Sequence, residues 1–447
     1  MADPRDPITQ AVILAGGKGT RLAAALGREI PKPMAPVAGV PLIERLIRLL
    51  AAQGIREIVL LVHHRADVIR EWCGDGGKYG LKIVHVEEGE PLGTGGALRD
   101  AVASLQEEFL VLYGDTLVDM DFGRLIAFHR ESDADLTVFA HPNDHPHDSD
   151  LIERAPDGRV LLVHPYPHPA GEDHQNLVNA ALYVMKRSLL ESRALPSGSF
   201  DIAKDALPAW IGEGCRIFAY RGDGYIKDMG TPERLAAVEA DIASGMSKRK
   251  SGRDPRPAVF LDRDGTVNVE KGHLSRAVDF ELLPGVGGAI RRLNRAGVLA
   301  IIITNQPVVA RGGATFEDIE RIHRRMESLL ATERAFLDGI FYCPHHPDCG
   351  FEGERLELKI DCRCRKPGTE LIDRACSIFS IARRSSWFIG DRTGDIECAR
   401  RAGLRSILVA TGAAGADGKY PVEPDRRVAD LAAAVEVVLA GEGGFSL

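Results

Sequence analysis

Short apolar runs return along this chain and alternate with amphipathic helical stretches. In the first half they are ITQAVILA at 8–15, EIVLLVH at 57–63, then 82–86, FLVLY at 109–113, 135–140 and 159–163. This alternation predicts strands of a parallel α/β sheet. TPERLAAVEADIASGM predicts a closing helix, with Thr231 as N-cap and Pro232 at its first position. The pattern then breaks. SKRKSGRDPRP is charged, carries proline and glycine and has no apolar period, so 247–256 reads as a linker. Beyond it the alternation restarts with AVFLD, VLAIIITN, WFIGD and SILVA, and a last helix is expected over 425–441. The reading is two α/β domains, 8–246 and 257–442, with no hexapeptide array of the kind that builds a left-handed β-helix.

Composition changes this picture little. A chain of 447 residues has room for two or three domains with real cores. Hydrophobic residues make up 45% and charged residues 27%, ordinary for a globular protein. A net charge of −8 argues against nucleic-acid or membrane binding. No apolar run is long enough to span a bilayer, and the acidic, proline-broken start is unlike a signal peptide, so a cytoplasmic enzyme is expected. Nothing in the pattern speaks to oligomeric state. Of eight cysteines, Cys343, Cys349, Cys362 and Cys364 crowd one segment with two histidines, which points to metal rather than disulfides.

The chemistry sits where strand-like runs end. LAGGKGTRL at 14–22 is a glycine turn able to aim backbone N–H groups at phosphate oxygens. It is neither GxGxxG nor a P-loop, because Leu22 stands where a third glycine would fall and no Lys-Ser/Thr pair follows. Alone it would be an ordinary strand-to-helix turn. Four features accompany it: Lys32 in PKPM, a second glycine turn in EPLGTGGAL, Asp115 after a strand in LYGDT, and Asp228 in YIKDMGTPE. Two carboxylates from distant strands suit one Mg²⁺ that also meets nucleotide phosphates.

These five ordered motifs resemble the sugar-1-phosphate nucleotidylyltransferases over about 8–245. The resemblance implies a Rossmann-like domain with a mixed sheet, in which a sugar phosphate attacks the nucleotide α-phosphorus and pyrophosphate leaves. It assigns Gly16, Gly17, Gly19, Thr20 and Arg21 to the triphosphate, with Arg21 and Lys32 neutralising charge on the transferring group. It places Gly93, Thr94 and Gly95 near the base and ribose, gives Mg²⁺ to Asp115 and Asp228, and gives the sugar to Asn179. The wording KPM and EPLGTGGAL is closest to guanylyltransferases for mannose 1-phosphate and heptose 1-phosphate, which implies GTP. Where the family carries a Glu-Lys pair before NAGIY, this chain reads VHPYPHP and then NAALY, so Ala181 replaces a glycine. His164 and His168 in that stretch are read as surface loop residues or unusual substrate contacts.

In the second half FLDRDGT, ITNQ, CRKP and IGDRTGD each place a polar group after an apolar run. Phosphoryl transfer through an aspartyl-phosphate needs a nucleophile, a proton donor, a Mg²⁺ cage and a charge clamp. Asp262 is the expected nucleophile and Asp264 the proton carrier. Thr304, Asn305 and Gln306 are placed at the phosphoryl oxygens and substrate, and Lys366 is the clamp. Asp391 joins Asp262 and the Asp264 carbonyl at Mg²⁺, with Asp395 in support. Cys343-x-His345 and Cys362-x-Cys364 suit a closed, tetrahedral and hence structural Zn²⁺, with His346 and Cys349 as competing ligands.

The order and spacing resemble the haloacid dehalogenase-type phosphatases, which implies a doubly wound domain. With DRDGTVN, TNQ…ARG and the zinc loop, the closest likeness over 257–442 is to heptose 1,7-bisphosphate 7-phosphatases, a subfamily shared with histidinol-phosphate phosphatases. Arg311, Arg365 and Arg392 are implied substrate contacts, and Pro307 stands where the family has serine. Stripping the 7-phosphate yields the acceptor a heptose-1-phosphate guanylyltransferase needs. The two halves together therefore imply a bifunctional route to a GDP-heptose. The alternatives are a mannose-type guanylyltransferase beside a histidinol-phosphate-like or broad phosphatase, and a catalytically silent nucleotide-binding scaffold.

Overall fold

The computed structural model describes residues 7–17, 30–169, 171–192 and 195–441. They form two compact units. The first comprises residues up to 141, 149–166 and 178–253; the second comprises 142–148, 167–177 and 254 onward.

At the centre of the first unit, Gln10–Leu14 pairs in parallel with Glu57–Val62 on one side and Glu108–Tyr113 on the other. Lys82–Glu87 extends the parallel part. Val178–Lys186 runs antiparallel to Glu108–Tyr113 and leads to Leu136–His141, Leu151–Arg154, Val160–His164 and Ile217–Arg221, so the sheet is mixed. Strands of the parallel part are apolar almost throughout because helices such as Leu42–Ala52 cover them. A separate ribbon pairs Thr116–Asp119 with Tyr225–Asp228. Pro232–Ala243 is the expected helix, and Thr231 Oγ1 accepts from the Arg234 N–H at 3.4 Å.

The expected linker is largely ordered on this unit. Gly245 turns the chain at φ 73°, Met246–Lys250 forms a short helix, and Ser247 and Ser251 are buried. Charge and missing periodicity hid a one-turn helix whose small polar residues face inward. The simple boundary at 246 also gains two exceptions. Loops 142–148 and 167–177 belong to the second unit, where the Asn176 N–H donates to Glu327 Oε2 at 3.1 Å.

The second unit has six parallel strands in the order Gly339–Cys343, Leu299–Asn305, Ala258–Leu261, Trp387–Gly390, Arg405–Val409, Arg426–Val428. Numbered along the chain this is 3-2-1-4-5-6, the doubly wound order that opens a crevice at the carboxyl ends of the central strands. Its long helix Phe316–Thr332 begins with a reciprocal capping box between Thr315 and Asp318. The last helix is Leu431–Ala440, shorter than expected, because 426–428 is spent on the edge strand. Among the described residues no helix is long and apolar enough to cross a membrane.

Candidate active sites

In the second unit the strand ends bring Asp262, Asp391 and Asp395 together, all buried and with ligand atoms within 4.8 Å of one another. The Lys366 ammonium lies 2.7 Å from both Asp262 Oδ1 and Asp395 Oδ1. Three buried carboxylates against one ammonium leave uncompensated negative charge. Burial, then the Asp395 charge, pushes the Asp391 carboxyl up to about 6, against the pull of the Ala413 N–H. Burial, followed by Asp395, also raises Asp262 well above the carboxylate range despite Lys366. A cation held between these carboxylates would counter both shifts. Asp391 Oδ1 is buried and has no hydrogen-bond partner among the described residues, while Oδ2 accepts from Ala413 N at 2.6 Å. A divalent cation with carboxylate ligands fits this donor set. Gly265 and Gly412 close over Asp391: a Cβ on either would lie 2.5 and 2.3 Å from its Oδ2.

Other residues named from the sequence hold the cluster. Asn305 Oδ1 accepts from the Lys366 N–H at 2.9 Å and its Nδ2 donates to the Lys366 carbonyl at 3.2 Å, fixing the lysine backbone. Gln306 Nε2 donates to Thr304 Oγ1 and to Asp264 Oδ2, each at 2.8 Å. Arg263 Nη2 and Asn268 Nδ2 complete the bonds to Asp264. Burial works to raise Asp264, but the Arg263 charge and these bonds outweigh it and hold the carboxyl below its usual value.

A cavity of about 460 Å³ opens onto Asp262, with Arg311, Arg365 and Arg392 on its wall. Arg392 pairs with Glu270 at 3.0 Å, and Arg311 Nη2 meets His346 Nε2 at 3.2 Å. Glu270, His273, Lys419 and Tyr420 also line it. They went unnamed because they lie in polar loops with no apolar run before them.

Cys343, His345, Cys362 and Cys364 form a second group within 4.8 Å. Sulfur separations are 3.2–3.5 Å, and His345 Nδ1 is 3.2 Å from Cys364 Sγ. Ligands about 2.3 Å from one centre lie at such spacings, so the group can hold zinc. His346 and Cys349 stand outside it: His346 Nδ1 accepts from the Asp348 N–H and Cys349 is exposed.

In the first unit the ribbon register sets Asp228 beside Thr116, and the Met229 N–H donates to the Asp115 carbonyl at 3.0 Å, so both carboxylates end at one place. Lys32 Nζ is 2.5 Å from Asp115 Oδ2. Arg234, unnamed from the sequence, reaches both Asp228 oxygens at 2.6 and 2.7 Å. These carboxylates are donors that could hold Mg²⁺, and each is ion-paired here, Asp115 to Lys32 and Asp228 to Arg234. Gly16 and Gly17 follow the first strand, and a Cβ on Gly16 would lie 3.0 Å from the half-buried Glu88. Gly19, Thr20 and Arg21 lie outside the described residues.

Gly93 and Gly95 open the helix Gly93–Asp100 against Phe200; a Cβ on Gly95 would sit 2.2 Å from its ring. The Thr94 hydroxyl donates to Asp201 Oδ2 at 2.8 Å and accepts from the Ile202 N–H at 2.9 Å. Packing therefore accounts for much of this turn. Asn179 Oδ1 accepts from the Ala181 N–H and the Tyr183 hydroxyl, both at 3.1 Å. His164 pairs with Glu153 at 2.9 Å, whereas His168 belongs to the other unit and lies against His174.

The nucleotidyl transferase family matches residues 10–245, and the HAD-hydrolase-like family matches 363–434. The chain is 32% identical over 261 residues to a mannose-1-phosphate guanylyltransferase of Mycobacterium tuberculosis, covering 58% of this chain and 71% of that protein. It is 39% identical over 189 residues to a D-glycero-D-manno-heptose-1,7-bisphosphate 7-phosphatase of Thermosynechococcus vestitus, covering 41% and 95%. Among solved structures, that of HddC from Yersinia pseudotuberculosis is 28% identical with a TM-score of 0.46, covering 53% of this chain and all of that one.

Proposed function

The chain belongs to the nucleotidyl transferase family, and from the phosphatase-like second half joined to it we propose that it makes a GDP-heptose in two steps. It is a bifunctional transferase and phosphatase. The second unit removes the 7-phosphate of heptose 1,7-bisphosphate, and the first transfers guanylate from GTP to the heptose 1-phosphate left behind. The observation that carries this is the Asp262–Lys366–Asp395 cluster beside Asp391, inside a half that is 39% identical to a heptose-bisphosphate phosphatase.

In the phosphatase step a carboxylate oxygen of Asp262 bonds to phosphorus as the phosphorus–sugar oxygen bond breaks. Protonated Asp264 gives its proton to that leaving oxygen. Water then attacks the phosphorus, its proton passes to Asp264, and the bond to Asp262 breaks. Each turnover delivers one proton and takes one up, so only water is consumed. Lys366 offsets charge on the transferring group, and Asn305 keeps the lysine in place. Mg²⁺, held by Asp262, Asp391 and the Asp264 carbonyl, would neutralise the phosphoryl oxygens. Structural Zn²⁺ would sit at Cys343, His345, Cys362 and Cys364. Arg311, Arg365 and Arg392 line the cavity for the rest of the substrate.

In the transferase step the sugar phosphate oxygen bonds to the α-phosphorus of GTP and pyrophosphate leaves. Lys32 and Arg21 serve the phosphates, Asp115 and Asp228 would hold Mg²⁺, and Asn179 serves the sugar. Similarity to a mannose-1-phosphate guanylyltransferase favours GTP. It also keeps open a second reading in which mannose 1-phosphate is the acceptor.

The test follows heptose 1,7-bisphosphate, GTP and Mg²⁺ by mass spectrometry with wild type, Asp262→Asn and Asp115→Ala. Wild type should yield GDP-heptose, the Asp115 variant should stop at heptose 1-phosphate, and the Asp262 variant should leave the bisphosphate untouched. Phosphate release without nucleotide sugar, with turnover of mannose 1-phosphate, would replace the heptose reading by the mannose one.

A further inference from the structure

Arg263 lies between the nucleophile and the proton carrier, a buried cation that the steps above leave without a role. Its side chain is fully buried, and stripping water from a guanidinium is costly unless its donors are met. Nε and Nη2 turn to one carboxylate, while Nη1 meets the ring of His323 at Nε2, 3.5 Å away. Nη2 lies 3.1 and 3.0 Å from the two oxygens of Asp264, and Nε lies 3.4 Å from Oδ1. Nη2 also donates to Gln306 Oε1 at 2.9 Å, while Gln306 Nε2 donates back to Asp264 Oδ2 at 2.8 Å. Arg263, Gln306 and Asp264 thus form a closed ring in which each side chain bonds the other two.

The loop backbone needs no such ring. The Arg263 carbonyl already accepts from the N–H groups of Val267 and Asn268 at 2.8 and 3.0 Å, which sets the turn. What the guanidinium adds is the direction of the Asp264 carboxylate.

We propose that Arg263, braced by Gln306, is a positioning residue that aims Asp264 for both of its proton transfers. This rests on the reading of Asp264 as proton carrier. A misaimed acid penalises leaving groups that need a proton and spares those that do not. A structural loss would penalise both alike.

The experiment compares heptose 1,7-bisphosphate with p-nitrophenyl phosphate, whose phenolate departs without a proton, in Arg263→Gln, Arg263→Lys and Asp264→Asn full-length chains. Arg263→Gln should lower kcat on the sugar phosphate about 100-fold with KM within about 3-fold, and slow nitrophenolate release in the first turnover less than about 10-fold. A burst of nitrophenolate should follow, because attack by water also needs Asp264. Asp264→Asn should show the same pattern, and the double variant should be no worse than Asp264→Asn alone. Arg263→Lys, the milder change, should keep the same leaving-group preference at smaller amplitude. Equal losses on both substrates, or additivity with Asp264→Asn, would overturn the proposal. If Asp264→Asn itself shows no leaving-group preference, the proton-carrier reading falls first and takes this inference with it.

Discussion

Ala181 holds a φ of 55°, a backbone region that an L side chain enters at a cost of about 1–2 kcal/mol and glycine enters freely. It marks the register break in Val178–Lys186, where the Asn179 side chain bonds back to the Ala181 N–H. The strain is the physical meaning of alanine standing where the related pattern has glycine. Ala181→Gly should stabilise the first unit by about 0.5–1 kcal/mol, the relief less the entropy glycine adds to the unfolded chain. Denaturant unfolding measures it, and a lower midpoint would contradict it. At this scale the sequence was legible wherever a polar residue closes an apolar run: Asp262, Asn305 and Asp391 are at strand ends in the fold. Arg263, Glu88 and Arg234 were not legible. Arg263 bonds its own neighbour Asp264, and Arg234 reaches Asp228 six residues away, but nothing along the chain marks which arginine is buried and which is solvated.

Elements carry two further predictions. The segment from Cys343 to Lys366 leaves a strand end and comes back to the site without a strand of its own, pinned by the Cys/His group, the buried Leu358 and a few polar contacts. Cys362→Ser should lower zinc content from about one per chain and cut phosphatase activity by about 10–100-fold. Pyrophosphate release from GTP with a sugar 1-phosphate should be unchanged, because Lys366 alone among the proposed catalytic residues depends on this loop. Full phosphatase activity in zinc-free protein supplied with Mg²⁺ would remove zinc from the account.

The helix Phe316–Thr332 carries His323, which is buried. Burial, then the Arg263 charge, pulls its pKa down to about 3, against Asp264. Unfolded, the imidazole titrates near 6.5. As pH falls below that value the unfolded chain takes up a proton the folded one refuses. Stability of the second unit therefore drops between about pH 6.5 and 3, by up to about 1.4 kcal/mol per pH unit. Hydrogen exchange in peptides of this helix at pH 7 and pH 5 should show the loss, and His323→Asn should shrink its slope. An unchanged slope would mean that His323 is not held neutral. The apolar period announced this helix, but burial of its one histidine depends on the loop that packs above it.

At the scale of the molecule, the strand runs and the break near 250 were enough to separate two α/β units, and the mixed and doubly wound sheets follow the implied folds. Leu151–Arg154 was missed because its second half is charged, and Ile217–Arg221 was missed although its first four residues are apolar. Loops 142–148 and 167–177 were misplaced because Asp173 and Asn176 find partners on Phe316–Thr332, far along the chain, and Asn143 bonds to Asn176. The residues assigned to chemistry nevertheless divide cleanly. Every proposed phosphatase residue belongs to the second unit, and every described transferase residue to the first. A site complete within its own unit can be supplied from solution. Mixing Asp262→Asn chains with Asp115→Ala chains should therefore restore GDP-heptose from the bisphosphate and GTP. Each variant carries the activity the other lacks, and heptose 1-phosphate made by one can bind the other. The mixture and the wild type should show the same lag while the intermediate accumulates towards the transferase KM, and added heptose 1-phosphate should abolish it in both. Product from the wild type without a lag, beside a lagging mixture, would mean that the intermediate passes within one chain and that covalent linkage does more than keep the two activities in equal number.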